Sequence, residues 1–312
     1  MNDYEMMVDA YKEAGGEDVF SDSDVAHLVL ERDKVLGAHK VEGLEVDAKK
    51  IAEDTVKVKV TIKEGYQIEN TVHMCFGVLP KEGRQKIEME VEVQKNAHVE
   101  VKADCVFPNA VKVQHIMDAV INVAEGGSYI YKEHHFHGEN GGVEVIAKSD
   151  IYVKSHGSLV TKFDLLKGRA GKMDFDYEAH LEEHATVDML ARISAQDDDL
   201  VKIRESAHLN GPYSRGILDS KIALKDQAEA EIYNELTANA PGAMGHVDCT
   251  EIIKDNAVAR AVPIVDVRHP EAKVTHEAAI GSVDSTQLQT LMARGLDEEE
   301  ASEVIIQGLL ND

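Results

Sequence analysis

Two stretches of the chain carry residue types that can do chemistry together. Gly245-His246-Val247-Asp248-Cys249-Thr250-Glu251 holds a thiol, and Val274-Thr275-His276-Glu277-Ala278 holds an imidazole next to a carboxylate. Cys249 and Glu277 are 28 positions apart (277 − 249), close to the interval at which this chain repeats. On stacked strands, residues one repeat apart lie on neighbouring rungs about 5 Å apart. A thiolate, an imidazole and a carboxylate are therefore expected to converge. Such a set binds iron or zinc, or activates the thiol as a nucleophile. A second cluster, Glu133-His134-His135-Phe136-His137-Gly138-Glu139, is the densest among the 15 His of the chain. On a strand His135 and His137 share a face, as metal ligands would, and Glu139 follows as a third donor for a metal-dependent enzyme. The plainer reading of that cluster is a His-rich, solvated strand face. Cys75 and Cys105 stand in apolar strand sequence and are expected to be inert buried thiols.

The elements that must position these residues are mostly strands. Val56, Val58, Val60 and Ile62 alternate with polar residues at a period of two. Beyond them, a pattern of apolar alternation, polar turn and small residue recurs. The small residues fall at Ala97, Gly127, Gly157, Ala185, Ala228, Ala257 and Ala272, mostly about 30 apart, with one insertion and one half-step. A period in this range signals stacked repeats. Strand–turn–strand units with no helical pattern between them predict a mainly β protein built as a β-helix. A meandering antiparallel sandwich is the alternative. The spacing of Tyr4, Met7, Val8 and Tyr11 predicts an N-terminal helix ending at Gly15-Gly16, and Val25, Leu28 and Val29 suggest a second short helix. We expect a helical segment over 1–55, a β-helix core over 56–283 and a helical hairpin over 284–312. Capping pairs Asp284/Gln287 and Asp297/Glu300 start the two helices of that hairpin. Its apolar stripe, with Leu288, Leu291, Met292, Val304, Ile305 and Leu309, either covers the end of the solenoid or docks a partner.

Composition narrows the function. The chain has 312 residues with a formal charge of −25, 58 acids against 33 Lys and Arg. Binding to nucleic acid or anionic membranes rests on Lys and Arg, so neither partner is expected. No apolar run approaches the roughly 20 residues of a membrane helix, and the acidic start has no basic signal region. Three Cys, widely spaced and without a C-x-x-C, argue for a reducing, cytoplasmic setting. No phosphate-binding loop, dinucleotide fingerprint or hydrolase motif is present, so no nucleotide is expected on this chain.

One set of strings resembles a known family. These are Cys249-Thr250-Glu251, Ala261-Val262-Pro263-Ile264-Val265, Val274-Thr275-His276-Glu277-Ala278, Asp284-Ser285-Thr286-Gln287-Leu288, Ala293-Arg294-Gly295-Leu296, Glu298-Glu299-Glu300-Ala301 and Ile305-Ile306-Gln307-Gly308. Together they look like the C-terminal core of the SufB/SufD family, which assembles iron–sulfur clusters. The resemblance is strongest over 240–312. It implies a right-handed parallel β-helix flanked by helical segments. It implies a cytoplasmic scaffold, not itself an enzyme, working with the ABC-type ATPase SufC, which docks on the C-terminal helices. It also implies pairing with a second copy or a SufB/SufD paralogue through the β-helix, a nascent cluster at that interface, a sulfur donor and apo-protein recipients.

Carried over residue by residue, the resemblance makes Cys249 the sulfur acceptor and cluster ligand, and His276 and Glu277 the iron or cluster ligands. SufD-type chains usually lack the Cys and the Glu, so the chain resembles SufB more, in the compact form of minimal systems. It departs at Thr275, where longer SufB chains often carry Glu, and in its short N-terminal part. His135 and His137 remain candidates for a secondary metal. The readings set against a scaffold are a catalytically silent SufD-like adaptor and a His-based metal-dependent enzyme.

Overall fold

The 30-residue interval corresponds to two strands per rung, one in each of two facing sheets. A computed structural model describes residues 2–310. The elements run in chain order as α1 (Asp3–Glu13), β1 (His27–Glu31), β2 (Lys34–His39), β3 (Leu44–Ala52), β4 (Thr55–Ile62), β5 (Val72–Gly77), β6 (Glu82–Val93), β7 (His98–Phe107), β8 (Lys112–Val123), β9 (Ser128–His137) and β10 (Val143–Val153). They continue as β11 (Ser158–Leu165), β12 (Lys172–Leu181), β13 (Thr186–Ala195), β14 (Leu200–Leu209), β15 (Arg215–Leu224), β16 (Glu229–Ala238), β17 (Met244–Ile253), β18 (Val258–Val267), β19 (Lys273–Gly281), α2 (Ser285–Met292) and α3 (Glu298–Leu310). From β5 onward alternate strands are neighbours: odd-numbered strands form one sheet and even-numbered strands the other. Every such pair is parallel and in register. This is a parallel β-helix; the antiparallel sandwich would have paired consecutive strands.

The recurrent small residue closes a tight turn. The amides of Ala97, Gly157, Ala185, Ala228 and Ala257 each donate to the carbonyl three residues back. A residue with positive φ lies inside these turns, such as Asn96, His156, His184, Asp226 and Asp255. The turns stack as well: His156 donates its amide to Glu183, and His184 donates to Pro212. The rings of His156, His184 and Tyr213 follow this ladder with centroids 4.9 and 5.1 Å apart. Within strands, alternation places one side chain of each pair in the continuous apolar interior.

The N-terminal stretch departs from expectation. Among the described residues of the segment 1–55 only Asp3–Glu13 is helical, capped by reciprocal bonds between Asn2 and Glu5. Val25, Leu28 and Val29 do not form a second helix; His27–Glu31 is a buried strand paired in parallel with β5. β-Branched and leucine side chains buried on both faces suit a strand better than a one-sided helix. β1 with β2 and β3 with β4 are antiparallel hairpins that begin the two sheets. The solenoid core therefore starts before residue 56. α1 covers the outer face of the odd-numbered sheet, where Met7 and Tyr11 bury Val29, Cys75 and Val106.

At the other end the hairpin lies beside the solenoid, not across its end. Ile306 and Leu310 pack on Ala223, an outward side chain of β15, with Leu166, Ile252 and Val283 around them. Glu303 and Glu299 of α3 pair with Lys225 and Lys254. Asp284 caps α2, and Asp297 and Glu300 cap α3 reciprocally. β18 and β19 are thus left as bare sheet edges, with Val267 46% and Ile280 47% exposed.

One loop pair ties rungs together by charge. Arg169 meets Asp197, Asp198 and Asp199, and the buried Asp199 also accepts from the amides of Ala170, Gly171 and Gln196. Asp199→Ala strands those amides and part of the guanidinium. We expect it to destabilise the chain by about 3 kcal/mol or more, read as a lower urea midpoint with an unchanged slope.

Candidate functional site

Alternation and register decide which of the sequence candidates meet. In β17, Val247, Cys249 and Glu251 face the interior, while His246, Asp248 and Thr250 face out. β19 pairs with β17 so that His276 stands on Val247, Glu277 on Asp248 and Ala278 on Cys249. His276 therefore shares the face of Cys249, one strand out and two residues back, about 8 Å away by strand spacing and rise. Glu277 is on the opposite face, because neighbouring residues of a strand point to opposite sides. The spacing argument brought the three to adjacent rungs, but a one-residue offset separates Glu277 from the thiol within a single chain. Both His276 and Glu277 are exposed at the bare edge.

Cys249 itself is buried one rung from that edge. Asn234 donates to its Sγ at 3.6 Å and to Ser220 Oγ at 2.9 Å. Ser220 is its in-register neighbour on β15. Burial first, then the carboxyls of Glu251, Glu205 and Asp248, push the thiol up to about 12. It is a protonated thiol at neutral pH in the isolated chain.

Glu251 was not singled out by sequence reasoning, although it stands two residues from Cys249 on the same face. It is buried, and neither carboxyl oxygen has a hydrogen-bond partner among the described residues. Burial and the charge of Asp248 raise it to about 7. A buried carboxyl without partners is costly unless a function keeps it. The available signal was parity: Val247, Cys249 and Glu251 are spaced by two. Deeper still lies Glu205, in register with Asn234 and likewise buried. Burial and the charge of Asp219 raise Glu205 to about 8, against the Arg192 guanidinium.

The histidine cluster is not a solvated face. His135 and His137 point into the interior and are fully buried, as are His115 and Glu133. Glu139 lies beyond β9 in an exposed turn, so Glu133 is the carboxyl at the imidazoles: its Oε1 is 2.7 Å from His135 Nε2. Burial holds His115, His135 and His137 down to about 3, and each is neutral at physiological pH. Cys75 and Cys105 are buried, with thiols pushed up by desolvation. Cys75 packs under α1 and Cys105 beside this cluster.

On the hairpin, Leu291, Val304, Ile305 and Leu309 line a groove between α2 and α3, with Ile252 at its floor. Leu288 is half-buried and Met292 exposed, and neither lines the groove. Ile306 and Leu310, outside the expected stripe, are the α3 side chains that face the solenoid.

Residues 81–309 match the family model described as SUF system FeS cluster assembly, SufBD core domain. The chain belongs to the SufBD family. An iron–sulfur cluster assembly SufBD family protein of Pyrococcus horikoshii is 35% identical over 312 residues, covering 100% of this chain and 95% of the relative. One of Methanocaldococcus jannaschii is 34% identical over 285 residues, 91% of this chain and 90% of the relative. This SufBD chain is thus an iron–sulfur cluster assembly protein with the β-helix expected from its repeats. No described helix is long and apolar enough to cross a membrane.

Glu205 gives the chain a measurable pH response. Its folded value near 8 lies above the ordinary value of about 4.3, so its protonated form favours folding below about pH 4.3. That contribution is lost as pH rises through 8. Glu205→Gln should therefore lose less Tm than the wild type between about pH 5 and about pH 9. Parallel Tm curves for the two proteins would contradict the assignment.

Proposed function

We propose that this SufBD chain is a scaffold on which iron and sulfide, its cargo, are assembled at the interface of two scaffold chains and then passed to apo-proteins. The observation that carries the reading is the position of Cys249, one rung inside the bare β18–β19 end. Unpaired strand edges with exposed apolar side chains favour pairing with another chain. We take the partner to be a second copy or a SufB/SufD paralogue. Within one chain His276 shares the face of Cys249 and Glu277 faces away from it, so in this reading the second chain's edge supplies the oxygen donor to the shared site.

Cys249 is the sulfur acceptor and a cluster ligand in this reading. As a buried thiol it is unreactive, so the site must open before sulfur or iron arrives. The resting chain is therefore protected, and opening is driven from outside. We assign that role to an ABC-type ATPase of the SufC kind seated on the α2–α3 groove. The groove adjoins Ile252 on β17, the strand that carries Cys249. A shift of the hairpin is thereby coupled to the site through one strand. Glu251 stands two residues from Cys249 on the same face, a buried carboxyl without hydrogen-bond partners that opening of the site would expose beside the thiol. A mixed set of one thiolate with nitrogen and oxygen ligands holds a cluster less firmly than four thiolates, as a donor of clusters requires.

Full burial of Cys249 also favours a second reading, an adaptor with no cluster of its own. Iron and acid-labile sulfide per chain separate the two. The protein is purified without oxygen after co-expression with a SufC-type ATPase, as wild type and as Cys249→Ser. Iron with sulfide in the wild type, lost in the variant, is the expected result. An intact complex without either, even with a sulfur donor supplied, would establish the adaptor.

The groove has its own test. Val304 is 50% exposed and outward, so Val304→Asp should leave Tm within about 2 °C. It should weaken capture of the ATPase at least tenfold in pull-down titrations. Undiminished capture would move the docking surface elsewhere.

A further inference from the structure

We propose that Cys105, His115, Glu133 and His135 form a closed site for one four-coordinate divalent ion of the zinc type, separate from the assembly site. Three strands and both sheets deliver the donors. Cys105 on β7 and His135 on β9 are in-register neighbours, Glu133 is two residues from His135 on the same face, and His115 arrives from β8 opposite. Ligand atoms of Cys105, His115 and His135 all lie within 4.8 Å of one another. Cys105 Sγ is 3.8 Å from His115 Nε2 and 3.9 Å from Glu133 Oε1. A zinc tetrahedron with ordinary bond lengths has sulfur–nitrogen edges of about 3.6 Å and nitrogen–nitrogen edges of about 3.3 Å. His135 Nε2 and Glu133 Oε1, now 2.7 Å apart, need to part by roughly 0.6 Å to match.

The hydrogen bonds around the site fix which nitrogens are bare. Gln85 donates its amide to the carbonyls of Arg32 and Gly77, so its oxygen faces His115 Nδ1 at 3.0 Å. His115 Nδ1 must carry the hydrogen, and Nε2 presents a lone pair. His137 Nδ1 donates to the Arg169 carbonyl at 2.9 Å, which leaves its Nε2 to accept from His135 Nδ1 at 3.1 Å. His135 Nε2 is then bare too, and it points at Glu133. Two acceptors facing each other hold one shared proton, supplied by the Glu133 carboxyl. Outer partners that set the tautomer and aim the lone pair inward are the usual support of a metal-bound imidazole. Phe107 and Phe163 wall the cluster, with ring centroids 4.8 to 6.0 Å from the imidazoles.

Charge permits an ion in place of a plain polar core, and the convergence of the donor atoms favours it. A divalent ion would replace two protons, one on Cys105 and one on Glu133. Two negative ligands, two neutral imidazoles and the ion sum to zero, and a neutral assembly suits a dry interior. With all donors buried, the ion enters during folding and not by exchange into the finished solenoid. Five strand steps in the odd-numbered sheet, about 24 Å, separate Cys105 from Cys249.

The test unfolds the full chain in guanidinium with a chelator and refolds it anaerobically with cobalt(II). After gel filtration we expect roughly one cobalt per chain with a thiolate-to-cobalt charge-transfer band. Cys105→Ser should lose that band, and Cys249→Ser should keep it. The second comparison separates this ion from the assembly site, so either proposal can fail alone. Refolded wild type without stoichiometric cobalt would overturn the site. So would a band that survives in Cys105→Ser. If that variant does not fold, the wild type decides: refolding with metal must raise Tm over refolding with chelator, and equal values overturn the site.

Discussion

Parallel, in-register stacking is the constraint from which the other features follow. From β4 and β5 onward each strand hydrogen-bonds to the strand two places away in sequence, and the pairing runs without slip to the end of the solenoid. A slip of one residue would turn every interior side chain out to water. Tight turns closed on Ala or Gly keep the register, because they hold each rung to nearly the same length. Stacked turn amides and the His156–His184–Tyr213 ladder add a second row of rung-to-rung bonds outside the strands.

The same stacking creates a long interior in which polar groups are few and consequential. Most of it is valine, leucine, isoleucine and alanine. Two regions depart from that: Cys105 with three imidazoles and Glu133 near the N-terminal half, and Cys249 with Glu205, Ser220, Asn234 and Glu251 near the C-terminal end. A dry interior holds titratable groups in their neutral forms, so thiols and carboxyls there keep protons and imidazoles shed them. Such groups act only when a rung opens or a cation takes the place of protons. The bare end supplies the first route for Cys249. Nothing comparable opens the cluster around Cys105, which stands several rungs from either edge.

A β-helix must end somewhere, and this chain ends its solenoid in two ways. At the start, antiparallel hairpins and a helix cover what the first rung would leave open. At the finish the α2–α3 hairpin attaches to the side through Ile306, Leu310 and two ion pairs, and β18 and β19 keep free edges. Free edges with apolar side chains invite self-association unless pairing is their purpose. The contrast between a closed start and an open finish is why the assembly site is read at the finish.

Much of this was legible in the residues alone. A spacing near 30 with a small residue at each corner determined the stacked-strand architecture, since the turn chemistry recurs with the rung. The strings around Cys249, His276 and Glu277, with the hairpin that follows, determined the family. Other features needed three dimensions. Val25, Leu28 and Val29 suit a helix by spacing, and only their burial on two sides as part of β1 makes them a strand. Interval arithmetic placed Glu277 on the rung next to Cys249, yet register put it opposite Asp248 and gave the thiol Glu251 as its companion. His135 and His137 could face water or core on the same alternation; the position of the opposite sheet turned them inward to Cys105 and His115. Local sequence sets the period and the turn. Which face becomes the interior, and what meets across it, is set by contacts between residues far apart in the chain.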